Sequence, residues 1–208
     1  YKPVHRRSRA DQLVDYLSKE TEVPVVDMRK ELKKAGRRMR TYHKTDTHWN
    51  SYGAYAGYMA IMKNLKRRLD GVSPLSFKSR DFKMTEQPGG DLARSLNLAG
   101  SIKEEAPQLT TRELRCINNT EPPGIADDTS RTREWFTTTC AQKKYYALMF
   151  HDSYATAMMP YLSESFSTVY YIPHSPVGME NFQKIIKKEG PDIVIEQRTS
   201  RWLRTPEG

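Results

Sequence analysis

The last third of the sequence alternates short apolar runs with segments of helical spacing, and this alternation limits the chain to few folds. The aromatic and aliphatic run at 145–150 predicts a strand, as do the runs at 168–172 and 192–195. Between them, apolar residues recur at helical spacing at 157–162 and again at 182–186. Strands that alternate with helices form a parallel sheet. We therefore predict an α/β domain of three layers with a largely parallel sheet.

Helical and extended patterns also occur before residue 70. Ser8 is a suitable N-cap for a helix whose apolar face lies at 13–17. The run at 23–28 predicts a strand, and Asn50 or Ser51 is a suitable N-cap for a second helix. The apolar stripe of that helix is typical of core packing. It consists of Tyr55, Met59, Met62, Leu65 and Leu69.

Two short segments about a hundred residues apart carry an acid, a base and a hydroxyl. The segment at 45–50 contains Asp46 and His48, and the segment at 150–154 contains Ser153. A serine hydroxyl attacks an ester only if a base removes its proton as the bond forms. That base is usually a histidine that a carboxylate holds in the right tautomer. The three residues therefore predict a nucleophilic site, with Ser153 as the nucleophile.

Ser153 stands at a predicted strand-to-helix junction, and the pair of Asp46 and His48 stands on a loop that enters a helix. Backbone N–H groups at the start of a helix point outward and can hold a developing oxyanion. Loops beside a sheet are also where site residues tend to collect. Both positions therefore suit a catalytic site better than either motif alone would indicate.

Six segments occur in the order of a known family. They are Thr45-Asp46-Thr47-His48-Trp49, Gly53-Ala54, Gly90-Asp91-Leu92-Ala93, His151-Asp152-Ser153-Tyr154, Pro191-Asp192-Ile193-Val194-Ile195-Glu196 and Arg201-Trp202-Leu203. The chain thereby resembles the SGNH hydrolase superfamily, and within it the AlgX/AlgJ-type polysaccharide O-acetyltransferases, or DHHW group. The Asp/His block precedes the serine here, as in that group, like a circular permutation of the common SGNH order.

The resemblance implies Ser153 as nucleophile, His48 as general base and Asp46 as the acid that orients His48. Asp152 is expected to act on the turn instead, because adjacent side chains of an extended segment point to opposite faces. We expect it to bond backbone amides around Ser153.

The resemblance also supplies candidates for the oxyanion hole. The N–H of Ser153 is one, and Gly178 matches the superfamily's glycine donor. The superfamily's asparagine is absent after the third strand, where Gln197 or Arg198 would have to replace it. Loss of one such donor typically costs about 10²–10³ in rate, so the substitution matters to mechanism.

Trp49 and Tyr154 are the candidates for substrate binding, because each adjoins a residue of the proposed site. An indole beside the base could stack on a sugar ring. Buried packing against the sheet is an equal alternative for Trp49.

The length of 208 residues fits one catalytic domain spanning 1–208. The region at about 70–143 has little periodicity and is predicted to be an irregular insertion between the two halves of the site. These 208 residues show no signal-peptide pattern and no apolar run long enough to span a membrane. Because the chain begins at Tyr1, we expect a fragment of a longer exported or anchored protein.

The balance of 34 basic against 25 acidic residues gives a net charge of +9, which favours anionic partners. No recognition-helix, zinc-finger or RNP pattern accompanies the basic clusters, so nucleic acid is not expected. An anionic extracellular or cell-wall polysaccharide fits both the charge and the resemblance. No cofactor is expected, and the resemblance implies a membrane O-acyltransferase partner that supplies the acetyl group.

Cys116 and Cys140 are the two cysteines, and both lie inside the predicted insertion. They are either free thiols or a disulfide, which would require an oxidising compartment. The resemblance implies an extracytoplasmic location, periplasmic or at the cell surface, and so favours the bridge.

The predicted function is transfer of an acetyl group to polysaccharide hydroxyls through an acetyl-serine intermediate. An acetylesterase would use the same three residues, so it stays an alternative. A zinc site built from His43, Asp46, His48 and His151 is a chemical rival, although no ligand spacing supports it. A non-catalytic carbohydrate-binding module is the alternative of another class.

Overall fold

The computed structural model describes residues 7–110, 114–116, 135–173 and 179–203. The helices are α1 (Arg9–Glu20), α2 (Arg29–Gly36), α3 (Ser51–Leu65), α4 (Asp91–Ser95), α5 (Met159–Ser163) and α6 (Met179–Glu189). The strands are β1 (Phe82–Pro88), β2 (Lys103–Leu109), β3 (Phe136–Thr139), β4 (Tyr146–His151), β5 (Thr168–Pro173) and β6 (Ile193–Glu196). Within these residues, no helix has the length and apolar character needed to cross a membrane.

The main sheet has four strands in the order β3-β5-β4-β6. β4 pairs in parallel with both β5 and β6, as the alternation of strands and helices predicts. β3 pairs antiparallel with β5 at the edge, and β1 and β2 form a separate antiparallel sheet. The α/β class is as predicted, while the parallel pairing is confined to the three strands β5, β4 and β6.

The period of two along β4 separates the two faces of the main sheet. Ala147 and Met149 face the larger apolar core, which also contains most of the buried apolar residues of α3 and α5. Leu148 and Phe150 face a smaller core, whose other members include Phe182 of α6. β4 is buried on both faces, so it reads as a continuous apolar run in the sequence. The result is a three-layer arrangement with α3 and α5 on one face and α6 on the other.

The start of α3 is fixed by Asn50, one of the two N-caps expected from the sequence. Its side-chain oxygen accepts the N–H of Gly53 at 3.0 Å, and its amide nitrogen donates to the carbonyl of Arg40 at 2.8 Å. Only glycine fits at position 53, because a Cβ there would lie 2.0 Å from the carbonyl oxygen of Thr41. These contacts hold the loop before α3 tightly against the helix.

The predictions before residue 70 have mixed outcomes. α1 begins after Ser8 with a capping box, as predicted, since Ser8 and Asp11 each bond the other's backbone N–H. The strand predicted at 23–28 is wrong, because this segment forms no ladder. Val23 is 63% exposed and Pro24 has no N–H to donate. The segment only packs its later apolar side chains, Val26 and Met28, against the core.

The region at 70–143 contains more regular structure than its sequence suggests. β1 and β2 pair along seven residues with α4 between them, and β3 joins the edge of the main sheet. A disulfide joins Cys116 to Cys140, with 5.1 Å between the Cα atoms. The carboxylate of the buried Glu164 accepts the N–H groups of Arg115 and Cys116 and so ties this segment to the end of α5. That the region is an insertion within one domain stays a prediction.

Candidate active site

Ser153 lies at the carboxyl end of the central strand of the parallel unit. β4 ends at His151, Asp152 caps the next turn, and a short 3-10 turn runs from Ser153 to Ala155. Because β5 and β6 flank β4 in parallel, the carboxyl ends of all three strands lie at this edge. Ser153 itself is exposed there.

Asp46, His48 and Ser153 form one hydrogen-bonded chain. Nδ1 of His48 lies 2.6 Å from Oδ1 of Asp46, and Nε2 of His48 lies 2.8 Å from Oγ of Ser153. The backbone N–H of His48 also donates to Oδ1 of Asp46 at 2.9 Å, so the two-residue spacing closes a compact turn. Such a chain suits removal of the serine proton by the imidazole.

The carboxylate of Asp46 is held in its charged form by several donors. Burial by itself would raise the pKa of Asp46, but the N–H groups of His48 and Asp91 and the imidazole of His48 outweigh it and lower the pKa to about 2. The Asp91 N–H donates to Oδ2 at 2.9 Å. Gly90 permits this approach, because a Cβ there would lie 2.3 Å from Cβ of Asp46.

Asp91 supplies a second carboxylate beside the imidazole of His48. No role was predicted for it from the sequence. Its Oδ2 lies 3.6 Å from Nδ1 of His48, and its Oδ1 accepts the N–H of Thr47 at 2.7 Å. The hydroxyl of Thr47 also contacts its Oδ2. The only signal for it in the sequence is the Gly90-Asp91 segment of the family resemblance.

Asp152 bonds backbone amides around the turn, which confirms its predicted role. Its Oδ1 accepts the N–H of Tyr154 at 2.9 Å, and its Oδ2 accepts the N–H and hydroxyl of Thr199 at 2.7 and 2.9 Å. Burial by itself would raise the pKa of Asp152, but these donors outweigh it and lower the pKa. Asp152 therefore joins the end of β4 to the loop that follows β6.

The two aromatic candidates occupy different places. Trp49 is only 4% exposed, and its indole N–H donates to the carbonyl of Tyr154 at 2.8 Å. The structure thus has the buried packing that was the alternative to stacking on a sugar. Tyr154 is partly exposed, and its ring centroid lies 4.7 Å from that of His48. Tyr154 is therefore the aromatic residue that borders the site.

The four oxyanion-hole candidates differ in their position and in their hydrogen-bond partners. Gly178 lies outside the described residues. The side-chain oxygen of Gln197 accepts the N–H of Asp152 at 3.1 Å, and the guanidinium of Arg198 pairs with Glu196. The N–H of Ser153 has no acceptor among the described residues, as expected for the first residue of a helical turn.

Arg201 lies beside the nucleophile, although no role was predicted for it. Its Nη2 is 3.5 Å from Oγ of Ser153, and its Nη1 is 3.5 Å from Oγ1 of Thr47. Its guanidinium carbon also lies 5.3 Å from the ring centroid of Tyr154, within the range of a cation–π contact. The Arg201-Trp202-Leu203 segment of the family resemblance is the signal for it in the sequence, and the fold brings it to Ser153.

The four residues of the zinc hypothesis are not brought together. Within the described residues, no three of them have ligand atoms within 4.8 Å of one another. Asp46, His48 and Asp91 do meet that distance and could offer two oxygens and a nitrogen to an ion. In this structure the nitrogen is instead engaged with Asp46.

A three-layer α/β domain with this Asp–His–Ser chain at the end of its central strand has the features of an SGNH hydrolase-like domain. The model of the family described as SGNH hydrolase-like domain, acetyltransferase AlgX, matches residues 1–129, and the chain belongs to this family. The matched part includes Asp46 and His48 and ends before Ser153. A search of curated proteins finds no significant match.

Three solved structures have a similar fold. Bacillus cereus PatB1 with a sulfonyl adduct is 19% identical with a TM-score of 0.67, over 97% of this chain and 75% of that one. A DHHW family protein from Eubacterium siraeum is 16% identical with a TM-score of 0.64, over 98% and 74%. The O-acetyltransferase domain of Pseudomonas putida AlgJ is 17% identical with a TM-score of 0.58, over 98% and 68%. At these identities the likeness concerns the fold alone.

Proposed function

We propose that this protein transfers acetyl groups to hydroxyls of an extracytoplasmic polysaccharide through an acetyl-Ser153 intermediate. The observation that carries the proposal is the chain of two short contacts from Asp46 through His48 to Ser153. Family membership supports acetyl transfer as the chemistry.

The proposed reaction has two steps that use the same base. Oγ of Ser153 attacks the carbonyl carbon of an acetyl ester while its proton passes to Nε2 of His48, and the leaving alkoxide then takes that proton. In the second step a sugar hydroxyl attacks the acetyl-serine and gives its proton to His48, which returns it to Oγ of Ser153. Asp46 keeps Nδ1 of His48 protonated throughout and stabilises the imidazolium that forms.

A polymeric acceptor suits the openness and the charge around the site. Ser153 is exposed, and the side chain of His48 is 27% exposed, so a sugar within a long chain can reach both. Arg201 borders the serine, and the whole chain carries a net charge of +9. These charges favour an acidic polysaccharide over a neutral one.

The Cys116–Cys140 disulfide supports an extracytoplasmic location, because structural disulfides persist in oxidising compartments. An extracytoplasmic enzyme needs an acetyl donor that is delivered across the membrane. We therefore propose that a membrane O-acyltransferase partner passes the acetyl group to Ser153. Anchoring to the membrane in the full-length protein is part of the same proposal.

The test is intact mass spectrometry after incubation with a chromogenic acetyl ester, with and without oligosaccharides. We expect one added acetyl group on Ser153, release of the chromophore, and acetylated sugar when an acidic oligosaccharide is present. Ser153→Ala should abolish all three and keep its melting temperature. A chelator should change none of them, which separates this chemistry from a metal site at Asp46, His48 and Asp91.

Other outcomes select other functions. Ester cleavage that never yields acetylated sugar, whichever acceptor is supplied, would establish an acetylesterase. Oligosaccharide binding without any adduct or cleavage, unchanged in Ser153→Ala, would establish a carbohydrate-binding module.

A further inference from the structure

Arg201 is held beside Ser153 by contacts from two other segments. It belongs to the 3-10 turn at Ser200–Trp202, which follows β6, the strand parallel to β4. Its guanidinium contacts Thr47 on the loop of the Asp–His pair and lies over the ring of Tyr154. The cation is therefore positioned before any substrate arrives, which is the condition for effective electrostatic stabilisation.

Two carboxylates lie in the same site as this cation. Asp91 contacts the hydroxyl of Thr47, which in turn lies 3.5 Å from Nη1 of Arg201, and Asp46 contacts His48. When His48 accepts the serine proton, the site holds two positive groups, two carboxylates and the new oxyanion. Both carboxylates lie beside Nδ1 of the imidazolium, whereas Arg201 lies beside Oγ of Ser153, where the oxyanion forms.

We propose that Arg201 is a catalytic residue and supplies the side-chain donor of the oxyanion hole, in place of the missing asparagine. The inference rests on the proposed function. As the Oγ–C bond forms, the carbonyl π electrons move to oxygen, and N–H groups of Arg201 and Ser153 donate to that oxygen without releasing their protons. The π bond reforms when the leaving alkoxide departs, and the donors are unchanged.

The other side chains after β6 are engaged in structural contacts. The oxygen of Gln197 accepts the N–H of Asp152, and the guanidinium of Arg198 pairs with Glu196 at the exposed surface. Only Arg201 of the three has a contact with Oγ of Ser153 given by the structure. Its 3.5 Å separation is long, as catalytic hydrogen bonds often are before substrate binds.

The test compares Arg201→Ala and Arg201→Lys with the wild type on a neutral chromogenic acetyl ester. We expect kcat to fall by about 10²–10³ in Arg201→Ala with little change in KM, since one oxyanion donor is lost. Arg201→Lys should recover part of the loss, and guanidinium ions at millimolar concentration should restore part of the Arg201→Ala rate. Arg67→Gln is the charge control, because Arg67 is exposed and lies just beyond the far end of α3, whose 15 residues span ~22 Å from the loop of the Asp–His pair.

A neutral ester separates this role from recognition of an acidic acceptor. If Arg201 served only to bind carboxylates of a polysaccharide, Arg201→Ala would cleave the neutral ester at the wild-type rate and lose only acceptor transfer. That result would overturn the proposal. So would a larger loss in Arg198→Ala than in Arg201→Ala.

A second readout does not depend on turnover. A p-nitrophenyl methylphosphonate ester transfers its phosphonyl group to Ser153 with release of p-nitrophenolate, and leaves a P–O⁻ where the oxyanion would form. The adduct should raise the melting temperature of the wild type clearly more than that of Arg201→Ala. Equal shifts in the two proteins would overturn the proposal.

The two proposals fail in different ways. Absence of both ester cleavage and phosphonyl labelling in the wild type would overturn the proposed function and this inference with it. Activity in the wild type that depends on Ser153 but is insensitive to Arg201 would overturn this inference alone.

Discussion

Asp46 and Asp152 are two aspartates near one serine with separate sets of partners. Asp46 contacts the imidazole of His48, whereas the oxygens of Asp152 accept N–H groups of Tyr154 and Thr199. The carboxylate of Asp46 is placed to assist proton transfer through the imidazole. The carboxylate of Asp152 instead holds the backbone of the turn in place. The residue type is the same, so the neighbours decide the function.

Asp46→Asn should keep the fold and lose most of the activity. The amide cannot hold the imidazole in the required tautomer, and loss of that control costs about 10⁴ in kcat in related triads.

Asp152→Asn should instead lower the unfolding free energy by about 1–3 kcal/mol, because buried N–H groups lose a charged acceptor. Ester-cleavage rates and denaturant melts of both variants test this. Near-normal turnover in Asp46→Asn would show that the pairing with His48 is not catalytic.

Single residues differ in how much of their role can be predicted. The meeting of Asp46, His48 and Ser153 could be predicted, because the three lie in two short motifs that follow the order of a known family. Their catalytic roles stay a prediction. Arg201 lies in a segment of the family resemblance, but no role was predicted for it, because its proximity to Ser153 depends on β6 lying beside β4. Trp49 has an ambiguous sequence signal, since an aromatic beside a site residue is equally compatible with stacking and with burial.

At the scale of elements, β2 supports the loop that carries Asp46. Glu104 has a side chain only 2% exposed, and its carboxylate accepts the N–H of Lys44 at 2.6 Å and the hydroxyl of Thr45 at 3.1 Å. His43 lies 3.1 Å from the same carboxylate. The hairpin of β1 and β2 is therefore part of what positions the Asp–His pair.

Glu104→Gln should destabilise the protein near neutral pH by about 1–3 kcal/mol, since an amide replaces a buried carboxylate that accepts several bonds. Burial by itself would raise the pKa of Glu104, but its donors outweigh it and lower the pKa. Its stabilising effect is thus present above the ordinary glutamate pKa and is lost as pH falls through the lowered value. Denaturant melts should show the gap between variant and wild type shrinking in acid.

Glu105→Gln is the matched control for that experiment, because Glu105 is the next residue of β2 and is exposed. It should change stability by less than about 0.5 kcal/mol, as is usual at the surface. Equal losses in the two variants would mean that Glu104 has no special role in holding the loop.

Elements with a full apolar pattern were predicted well, and those that depend on distant partners were not. β4 and β5 are largely buried, and β6 buries Ile193, so their apolar runs are visible in the sequence. The segment at 23–28 has apolar residues typical of a strand, but it pairs with no strand in the described part of the chain and is irregular. β2 contains two glutamates and a lysine, which are typical of a solvent-exposed segment. The burial of Glu104 could therefore not be predicted from the sequence.

At the scale of the whole molecule, the disulfide ties the long middle region to the main sheet. Cys140 follows β3, and the bond closes a loop with a sequence separation of 24 residues. Loops of this size restrict the unfolded chain enough to contribute ~3 kcal/mol.

The double variant Cys116→Ser with Cys140→Ser should melt about 6–12 °C lower than the wild type, given roughly 2–4 °C per kcal/mol for a chain of this size. Reductant should lower the wild-type melting temperature by a similar amount and leave the double variant unchanged. Thermal melts with and without reductant provide the measurement. A double variant as stable as the wild type would show that the bond is dispensable.

The exposure of Ser153 bears on the timing of the proposed reaction. An acetyl group on this serine would face bulk water, which competes with every sugar hydroxyl for the same ester. The yield of transfer would then depend on the relative rates of hydrolysis and of attack by the sugar. If the sugar bound only after acylation, water would often have hydrolysed the ester first. An open site of this kind therefore favours an order of events in which the polysaccharide is already in place when the acetyl group is delivered.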